Sequence, residues 1–242
     1  MEGKSIGVEP MSIITYKKSV IPSLDVSSLQ EMRTIVSKTC DVKGIGAYKI
    51  GFELVIPFGM TRIVDEIRKI SKLPIIYDHQ KAATDIPDMG ERFVSACEEA
   101  DAIIFFPQAG PVTEKEWILA AERAKKPIII GGEMTHRGYL QHDDGYLMDD
   151  APERIYELAA SLRVRHYVVP GNKPERILHY RKLIESKGIK PIFYSPGLVA
   201  QGGSISAGAQ AAGNEWHAIV GRGIYGAKDM KKAAEEFVSQ LV

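Results

Sequence analysis

Eight short apolar runs recur along this chain, and the segments between them show the periodicity of amphipathic helices. Strands that alternate with helices build a parallel sheet covered by the helices. Eight such units in 242 residues predict a single (β/α)₈ TIM barrel, with a doubly wound open sheet as the alternative. The runs occupy residues 19–25, 47–52, 73–78, 100–106, 126–132, 165–171, 190–197 and 216–223.

The helical segments carry start signals. Ser28 and Glu31 form a capping-box pattern, in which each side chain satisfies a backbone N–H of the other's turn. Thr113 and Glu116 repeat the pattern and predict a second helix that begins after Thr113. We find no linker and no low-complexity segment, so we predict one domain over residues 1–242, with residues 1–12 as an extension before the first strand.

Composition narrows the functional classes. The chain has 31 basic and 31 acidic side chains without basic runs, which argues against a nucleic-acid or membrane-surface role. Its two cysteines, Cys40 and Cys97, offer neither a disulfide framework nor metal-ligand spacing. We therefore predict a reducing, cytoplasmic location. No apolar run is long enough to span a bilayer, and the first residues lack the unbroken apolar stretch of a secretion signal.

Polar side chains stand at the ends of the first three predicted strands. Asp25 ends the first, Lys49 lies inside the otherwise apolar second, and Asp78 ends the third. Both candidate architectures bind ligands at the carboxyl ends of their strands. Taken singly, Asp25 is equally well explained as a helix cap, and Lys49 as a residue at the rim of the sheet.

The stretch DHQKAATDIP adds two more charges after the third strand. Asp78, Lys81 and Asp85 have offsets of three and seven, which would also suit a salt-bridged surface helix. A strand precedes them, however, and Pro87 disfavours helical geometry at Ile86. We therefore predict a loop that carries a catalytic array of carboxylate, ammonium and carboxylate.

Two glycine-containing stretches follow the seventh and eighth strands. SPGLVAQGGS lets backbone N–H groups approach an anion closely and offers the Gln201 amide as a donor. VGRGIY adds Arg222, whose planar guanidinium suits phosphate. In barrels these two loops frequently form a phosphate site, so we predict a phosphorylated ligand.

Together the segments SLD, KIG, D..K...DIP, MTH, PG...QGG and VGR.IY resemble the orotidine 5′-monophosphate decarboxylase family over nearly the whole chain. The resemblance implies a (β/α)₈ barrel that decarboxylates orotidine 5′-monophosphate (OMP) to UMP and CO₂ in pyrimidine biosynthesis. It also implies that no metal or organic cofactor is needed. A homodimer with active sites at the subunit interface is implied as well.

The resemblance assigns roles to particular residues. Lys49, Asp78, Lys81 and Asp85 become the charged catalytic network, with Lys81 as proton donor and Asp85 reaching into the partner's site. Asp25 would hold the ribose, Thr135 (where a serine is common) the pyrimidine, and Gln201 with Arg222 the phosphate. The implied substrate-binding residues are Asp25, Thr84, Ile86, Thr135, Pro196, Gly197, Gln201, Gly221 and Arg222.

One motif departs from the family. The usual spacing is Asp-x-Lys-x-x-Asp, whereas this chain has Asp78-x-x-Lys81-x-x-x-Asp85. Two extra residues must be absorbed by a bulge or a wider turn.

Three alternatives remain open at this point. Mg²⁺-dependent sugar-phosphate lyases, of the hexulose-6-phosphate synthase or 3-keto-gulonate-6-phosphate decarboxylase type, reuse a similar Asp/Lys/Asp frame. A Schiff-base aldolase would use Lys81 or Lys49 as its nucleophile. A non-catalytic nucleotide-binding barrel would need only the phosphate loops, and it has no evident use for two lysines and two aspartates together.

Overall fold

The computed structural model describes residues 12–79, 83–198 and 202–241. The predicted extension therefore lies outside the described residues except at Ser12. Each of the eight apolar runs contains a strand. The strands are β1 (Lys18–Pro22), β2 (Tyr48–Gly51), β3 (Ile75–Asp78), β4 (Ala102–Phe105), β5 (Ile128–Gly131), β6 (His166–Val168), β7 (Ile192–Ser195) and β8 (Trp216–Val220).

Helices connect successive strands, and the described chain contains ten. They are α1 (Leu29–Thr39), α2 (Phe52–Phe58), α3 (Met60–Arg68), α4 (Gly90–Ala96), α5 (Pro111–Arg123), α6 (Ala151–Ser161), α7 (Pro174–Ser186), α8 (Ile205–Ala212), α9 (Arg222–Tyr225) and α10 (Met230–Val238). Two short 3₁₀ turns, Pro87–Met89 and Gln141–Asp143, lie in the loops after β3 and β5. No described helix has the length and apolar character that crossing a membrane requires.

All neighbouring strands pair in parallel, in the order β1-β8-β7-β6-β5-β4-β3-β2. The two ends of this order meet, because isolated bridges join Val20 to Ile45 and Ser23 to Lys49. The amide of Leu24 also donates to the Lys49 carbonyl at 2.8 Å. The strands therefore form a nearly closed barrel, which confirms the (β/α)₈ prediction and excludes the open sheet.

Alternation along the strands separates two apolar clusters. In β4, Ile103 and Phe105 belong to a cluster that also contains helix residues, whereas Ile104 belongs to a second cluster of strand and loop residues without any helix residue. Successive strand residues point to opposite faces, so the second cluster fills the barrel and the first lies beneath the helices. Each fully buried aliphatic side chain stabilises such a core by roughly 1.5–3 kcal/mol.

The barrel interior also contains a polar layer near the amino ends of the strands. The Ser19 hydroxyl lies 2.8 Å from His217 Nδ1, and the Tyr194 hydroxyl lies 3.0 Å from His166 Nδ1. Burial lowers the pKa of His166 to about 4 and that of His217 to about 3. Both imidazoles are therefore neutral near pH 7, where their hydrogen bonds replace those lost with water.

The two helix-start predictions had different outcomes. Ser28 is the N-cap of α1, where its hydroxyl accepts from the Glu31 amide, which confirms the helix start. The Glu31 carboxylate accepts from the Ser28 hydroxyl at 3.0 Å, so the reciprocal bond goes to the side chain and not to the backbone N–H of a full capping box. The prediction for Thr113 was wrong, because α5 begins at Pro111 with Gly110 as its N-cap. Proline suits the first helical position, so the helix starts earlier and Thr113 becomes an interior residue.

Candidate active site

A cavity of about 240 Å³ opens at the carboxyl ends of the strands. Barrel enzymes carry their catalytic groups at this end, where the loops after the strands converge. Eight of the residues predicted from the sequence line the cavity. They are Asp25, Lys49, Asp78, Thr135, Pro196, Gly197, Gly221 and Arg222.

Lys49 lies in the floor of the cavity between two carboxylates. Its Nζ is 3.0 Å from Asp78 Oδ2 and 3.4 Å from Asp25 Oδ1. In the β2–β3 register Lys49 pairs with Ile76, and Asp78 shares the barrel-facing side with Ile76 because it is two residues further along the same strand. The strand register therefore places this lysine and this aspartate inside the barrel.

The two carboxylates keep Lys49 charged in a buried place. Burial alone disfavours the ammonium form, but the charges of Asp78 and then Asp25 outweigh it and raise the pKa of Lys49. Asp78 is the stronger partner, since its side chain is 5% exposed and that of Asp25 is 45% exposed, where solvent screens the pair. Lys49 is thus a fixed positive charge. Because its side chain is buried, it is not an exposed residue at the rim of the sheet.

Ser23 completes this group and was missed from the sequence. Its hydroxyl donates to Asp25 Oδ2 at 2.6 Å and accepts from Lys49 Nζ at 3.2 Å. The residue is 3% exposed and follows β1 directly. Its position two residues before Asp25 was the available signal, because both side chains then point to the same side of an extended chain.

The part of the cavity that is lined by residues after β7 and β8 has the features of an anion site. Gly197 adopts φ +84°, a left-handed conformation that favours glycine, and it turns the chain directly after β7. Arg222 begins α9 after Gly221, and within the described chain it forms no ion pair. Gln201, the predicted amide donor, lies outside the described residues.

None of the described residues between Asp78 and α4 lines this cavity. Asp85, Thr84 and Ile86 are exposed and are not among the residues that line it. Lys81 lies outside the described residues. Within one chain the structure therefore brings together Asp25, Lys49 and Asp78, and leaves Asp85 outside that group.

Glu133 is a second residue that sequence reasoning missed. It lines the cavity beside Thr135 and is 2% exposed. Lys173 and Arg176 neutralise it from the start of α7, at 2.7 Å and 2.9 Å. Burial opposes its ionised form, but hydrogen bonds from Lys173, Tyr180 and Arg176 outweigh burial and lower the pKa of Glu133. Its signal was a carboxylate directly after β5, in GGEMTH.

The geometry defines what this site can do chemically. A desolvated ammonium between carboxylates stabilises negative charge that develops next to it, since low-dielectric surroundings strengthen fixed charges. A guanidinium and a glycine turn in the same cavity suit the phosphate of a ligand that also contacts the ammonium. The site therefore fits a small phosphorylated molecule that becomes anionic at its other end.

Comparison with known proteins identifies the family. Residues 18–237 match the family described as "Orotidine 5'-phosphate decarboxylase / HUMPS family". The chain belongs to this family. The resemblance predicted from the short motifs is thereby confirmed over most of the sequence.

Individual relatives agree with the family assignment. The orotidine 5′-phosphate decarboxylase of Methanocaldococcus jannaschii is 30% identical over 220 residues, which cover 90% of this chain and 96% of that protein. The enzyme of Methanosarcina mazei is 31% identical over 228 residues, which cover 92% and 94%. The crystal structure of the M. jannaschii enzyme with the inhibitor BMP superposes with a TM-score of 0.81 at 28% identity, covering 93% of this chain and 98% of that one.

The loop after β3 is longer than the usual Asp-x-Lys-x-x-Asp spacing predicts. One of its residues has an unusual backbone conformation. Ala83 has φ +67° and is completely buried. A non-glycine residue in the left-handed region marks a sharp local turn. This turn lies between Lys81 and Asp85, where the longer spacing has to be accommodated.

Proposed function

We propose that this chain is an orotidine 5′-phosphate decarboxylase, which converts OMP to UMP and CO₂ in pyrimidine biosynthesis without a cofactor. The observation that carries the proposal is the Lys49 ammonium held between Asp78 and Asp25, in the same cavity as Arg222. The names of the curated relatives, at about 30% identity over nearly their full length, point the same way.

The chemistry explains why such a site is useful. Loss of CO₂ from C6 of the orotate ring leaves an electron pair on a carbon without a good conjugated sink. A site without a cofactor has to stabilise this charge with fixed electrostatics. We propose that Lys81 provides the nearest ammonium and then donates its proton to C6, and that Lys49 and Asp78 keep Lys81 charged and oriented.

The remaining predicted residues bind the substrate in this proposal. Asp25 holds the ribose and Thr135 the pyrimidine. The 5′-phosphate lies against Arg222, Gln201 and the turn at Gly197. Asp78 faces the substrate carboxylate, and the repulsion between them is relieved as CO₂ leaves. Binding energy from the distant phosphate is then available for positioning the reacting ring.

We further propose a homodimer in which Asp85 serves the partner's site. Asp85 stands outside the cavity of its own chain, which supports this arrangement. Exposed large apolar side chains in the segments after β2 to β5 supply a surface suited to self-association. These side chains are Phe52, Ile56, Ile86, Val112, Tyr146 and Met148.

Two coarser expectations accompany the proposal. We propose one barrel domain for the chain and a cytoplasmic location. Support for the location comes from Cys40 and Cys97, which are both free thiols in the structure, as is usual in a reducing compartment.

The decisive experiment is incubation of the protein with OMP in the presence of EDTA, with the absorbance change followed as UMP forms. We expect full turnover without added metal. Turnover that disappears in EDTA and returns with Mg²⁺ would instead favour the sugar-phosphate lyases of the same family, and no turnover in either condition would contradict the proposal.

A pair of lysine variants sharpens this test. Lys81→Ala should reduce turnover by several orders of magnitude, because it removes both the charge and the proton donor. The exposed Lys43, changed to alanine, is the matched control and should retain the parent rate. Activity of Lys81→Ala within about tenfold of the parent, roughly 1.4 kcal/mol of barrier, would contradict the role of Lys81.

A further inference from the structure

Helix α5 holds the backbone of the segment that carries Asp85. The Thr113 hydroxyl donates to the Asp85 carbonyl at 3.0 Å, and the Trp117 indole N–H donates to the Ile86 carbonyl at 3.1 Å. Two consecutive carbonyls of the loop after β3 thus depend on side chains from one helix.

Both donors lie on the same face of α5, since they are four residues apart. Thr113 is 4% exposed and Trp117 is 2% exposed. Because Gly110 is the N-cap of α5, the Thr113 hydroxyl is not occupied by capping and is available to the loop. A buried hydroxyl or indole N–H needs an acceptor, and these carbonyls provide it.

The Trp117 ring is held rigidly. Its centroid lies 5.2 Å from that of Phe93 and 5.6 Å from that of Phe105, in the tilted and edge-to-face arrangements that aromatic pairs prefer. A Cβ atom at Gly90 would lie 3.0 Å from Trp117 Cδ1, so the start of α4 packs closely on the ring. The indole donor therefore has a fixed position.

The Asp85 carboxylate is tied to the same short piece of backbone. Its Oδ1 accepts from the Ile86 amide at 2.7 Å, and the Ile86 carbonyl also accepts from the Met89 amide at 3.2 Å. The direction of the carboxylate therefore follows the orientation of the peptide between Asp85 and Ile86. Helix α5 holds the carbonyl of that peptide, which belongs to Asp85, and the next carbonyl, which belongs to Ile86.

We propose that Thr113 and Trp117 are positioning residues for the reaction. They hold the backbone of Asp85 and Ile86 so that the Asp85 carboxylate projects away from its own chain and reaches the charged network of the partner's site. This inference rests on the proposed function and adds two residues to it that lie outside the cavity.

The test is a set of variants that remove the donors while keeping shape. Thr113→Val replaces the hydroxyl by a methyl group, and Trp117→Phe keeps an aromatic ring without the N–H. We expect kcat to fall by about tenfold in each, below the 10²-fold that a misplacement of about 1 Å can cause. The affinity for UMP should stay within about twofold, because phosphate binding is untouched. Thr113→Ser should restore kcat.

A matched control separates positioning from general damage. Thr39 is also a buried helical threonine, whose hydroxyl donates to the Ile35 carbonyl in α1 and lies 2.8 Å from the Tyr48 hydroxyl. Thr39→Val makes the same chemical change far from the loop and should keep the parent kcat. The Asp85→Asn background supplies the second comparison. There, Thr113→Val should cause no further loss, since the group it positions no longer carries charge.

Two results would overturn the inference. One is that Thr113→Val and Trp117→Phe both keep the kcat of the parent. The other is that Thr113→Val lowers kcat by the same factor in the Asp85→Asn background as in the parent. Absence of OMP turnover in the parent would instead contradict the proposed function. A readout that needs no activity is hydrogen exchange at the Ile86 amide, which should become at least about fivefold faster in Thr113→Val than in Thr39→Val. Equal exchange rates in the two variants would show that the Thr113 hydroxyl does not hold the backbone of Asp85 and Ile86.

Discussion

Lys49 and Asp78 form an ion pair inside the barrel, with Nζ 3.0 Å from Oδ2, although they come from different strands. Both residues are buried, at 7% and 5% exposure. A buried pair of this kind contributes little net stability but is costly to break on one side. The pair therefore holds a charge at a fixed position. Removing one member should change the free energy of unfolding differently from removing both.

Asp78→Asn should lower the free energy of unfolding by about 3 kcal/mol, because among the described residues it leaves the buried Lys49 ammonium only the more exposed carboxylate of Asp25 as a counter-charge. Turnover should fall by several orders of magnitude. Lys49→Met combined with Asp78→Asn removes both charges and should recover most of the lost stability but none of the activity. Urea unfolding and OMP turnover measure the two effects. A double variant no more stable than Asp78→Asn alone would show that the unpaired charge is not the cause.

Arg222→Ala should weaken ligands that carry a 5′-phosphate far more than it weakens the nucleoside orotidine. A charge-assisted hydrogen bond contributes about 1.5–3 kcal/mol, which corresponds to roughly 10- to 100-fold in affinity. The exposed Lys228, changed to alanine, removes a nearby positive charge from outside the cavity and should have little effect. Equal losses for phosphorylated and unphosphorylated ligands would mean that Arg222 does not bind phosphate.

Sharing of Asp85 across a dimer can be tested by mixing two inactive variants. Lys81→Ala and Asp85→Asn homodimers should each be nearly inactive. When they are unfolded and refolded together in equal amounts, roughly half of the dimers are mixed, with one intact and one doubly damaged site. Activity should return to about a quarter of the parent level per chain. No recovery, with both homodimers inactive and mixed dimers confirmed by mass spectrometry, would place Asp85 in the site of its own chain.

The stability of the protein should depend on Glu114 between pH 4.5 and about 8. Burial raises the pKa of Glu114 from 4.5 to about 8, and among the described residues its Oε1 has no hydrogen-bond partner. The unfolded chain releases this proton near pH 4.5 whereas the folded chain retains it, so stability is lost as the pH rises toward 8.

Glu114→Gln should therefore be more stable than the parent at pH 9, by ~2 kcal/mol, and the two proteins should converge near pH 4.5. Glu122→Gln, on the exposed side of the same helix, is the matched control and should leave the pH profile unchanged. Parallel profiles of the parent and Glu114→Gln in chemical unfolding would contradict the burial of a protonated carboxyl.

The buried histidines should make the fold sensitive to acid. Unfolded histidines bind protons near pH 6.5, whereas His166 and His217 in the folded protein do so only at about 4 and about 3. Both pKa values are depressed, so their contribution is complete above pH 6.5 and is lost as the pH falls, at up to ~1.4 kcal/mol per pH unit for each residue.

His217→Gln should flatten this part of the stability profile while keeping a partner for Ser19. The exposed His136, changed to glutamine, provides the comparison. Urea unfolding from pH 7 to pH 4 measures how the free energy of unfolding changes with pH. If His217→Gln and His136→Gln changed this pH dependence equally, His166 and His217 would not be buried as neutral imidazoles.

Local patterns in the sequence were enough to predict the barrel and many of the cavity residues. All eight apolar runs contain strands, because β-branched stretches between amphipathic segments have few other ways to bury their side chains. Asp25, Lys49, Asp78 and Arg222 were predictable as cavity residues because parallel strands bring their carboxyl ends to one face.

What only the tertiary structure decided depends on contacts between distant segments. The carboxylate of Glu133 is neutralised by Lys173 and Arg176, about forty residues later in the chain, and no local pattern specifies that pairing. Thr113 has the spacing of a cap, yet Gly110 and Pro111 begin the helix earlier and leave its hydroxyl to the Asp85 carbonyl. Propensity and periodicity are local properties, whereas the partner of a buried polar group is chosen by how the strands and helices pack.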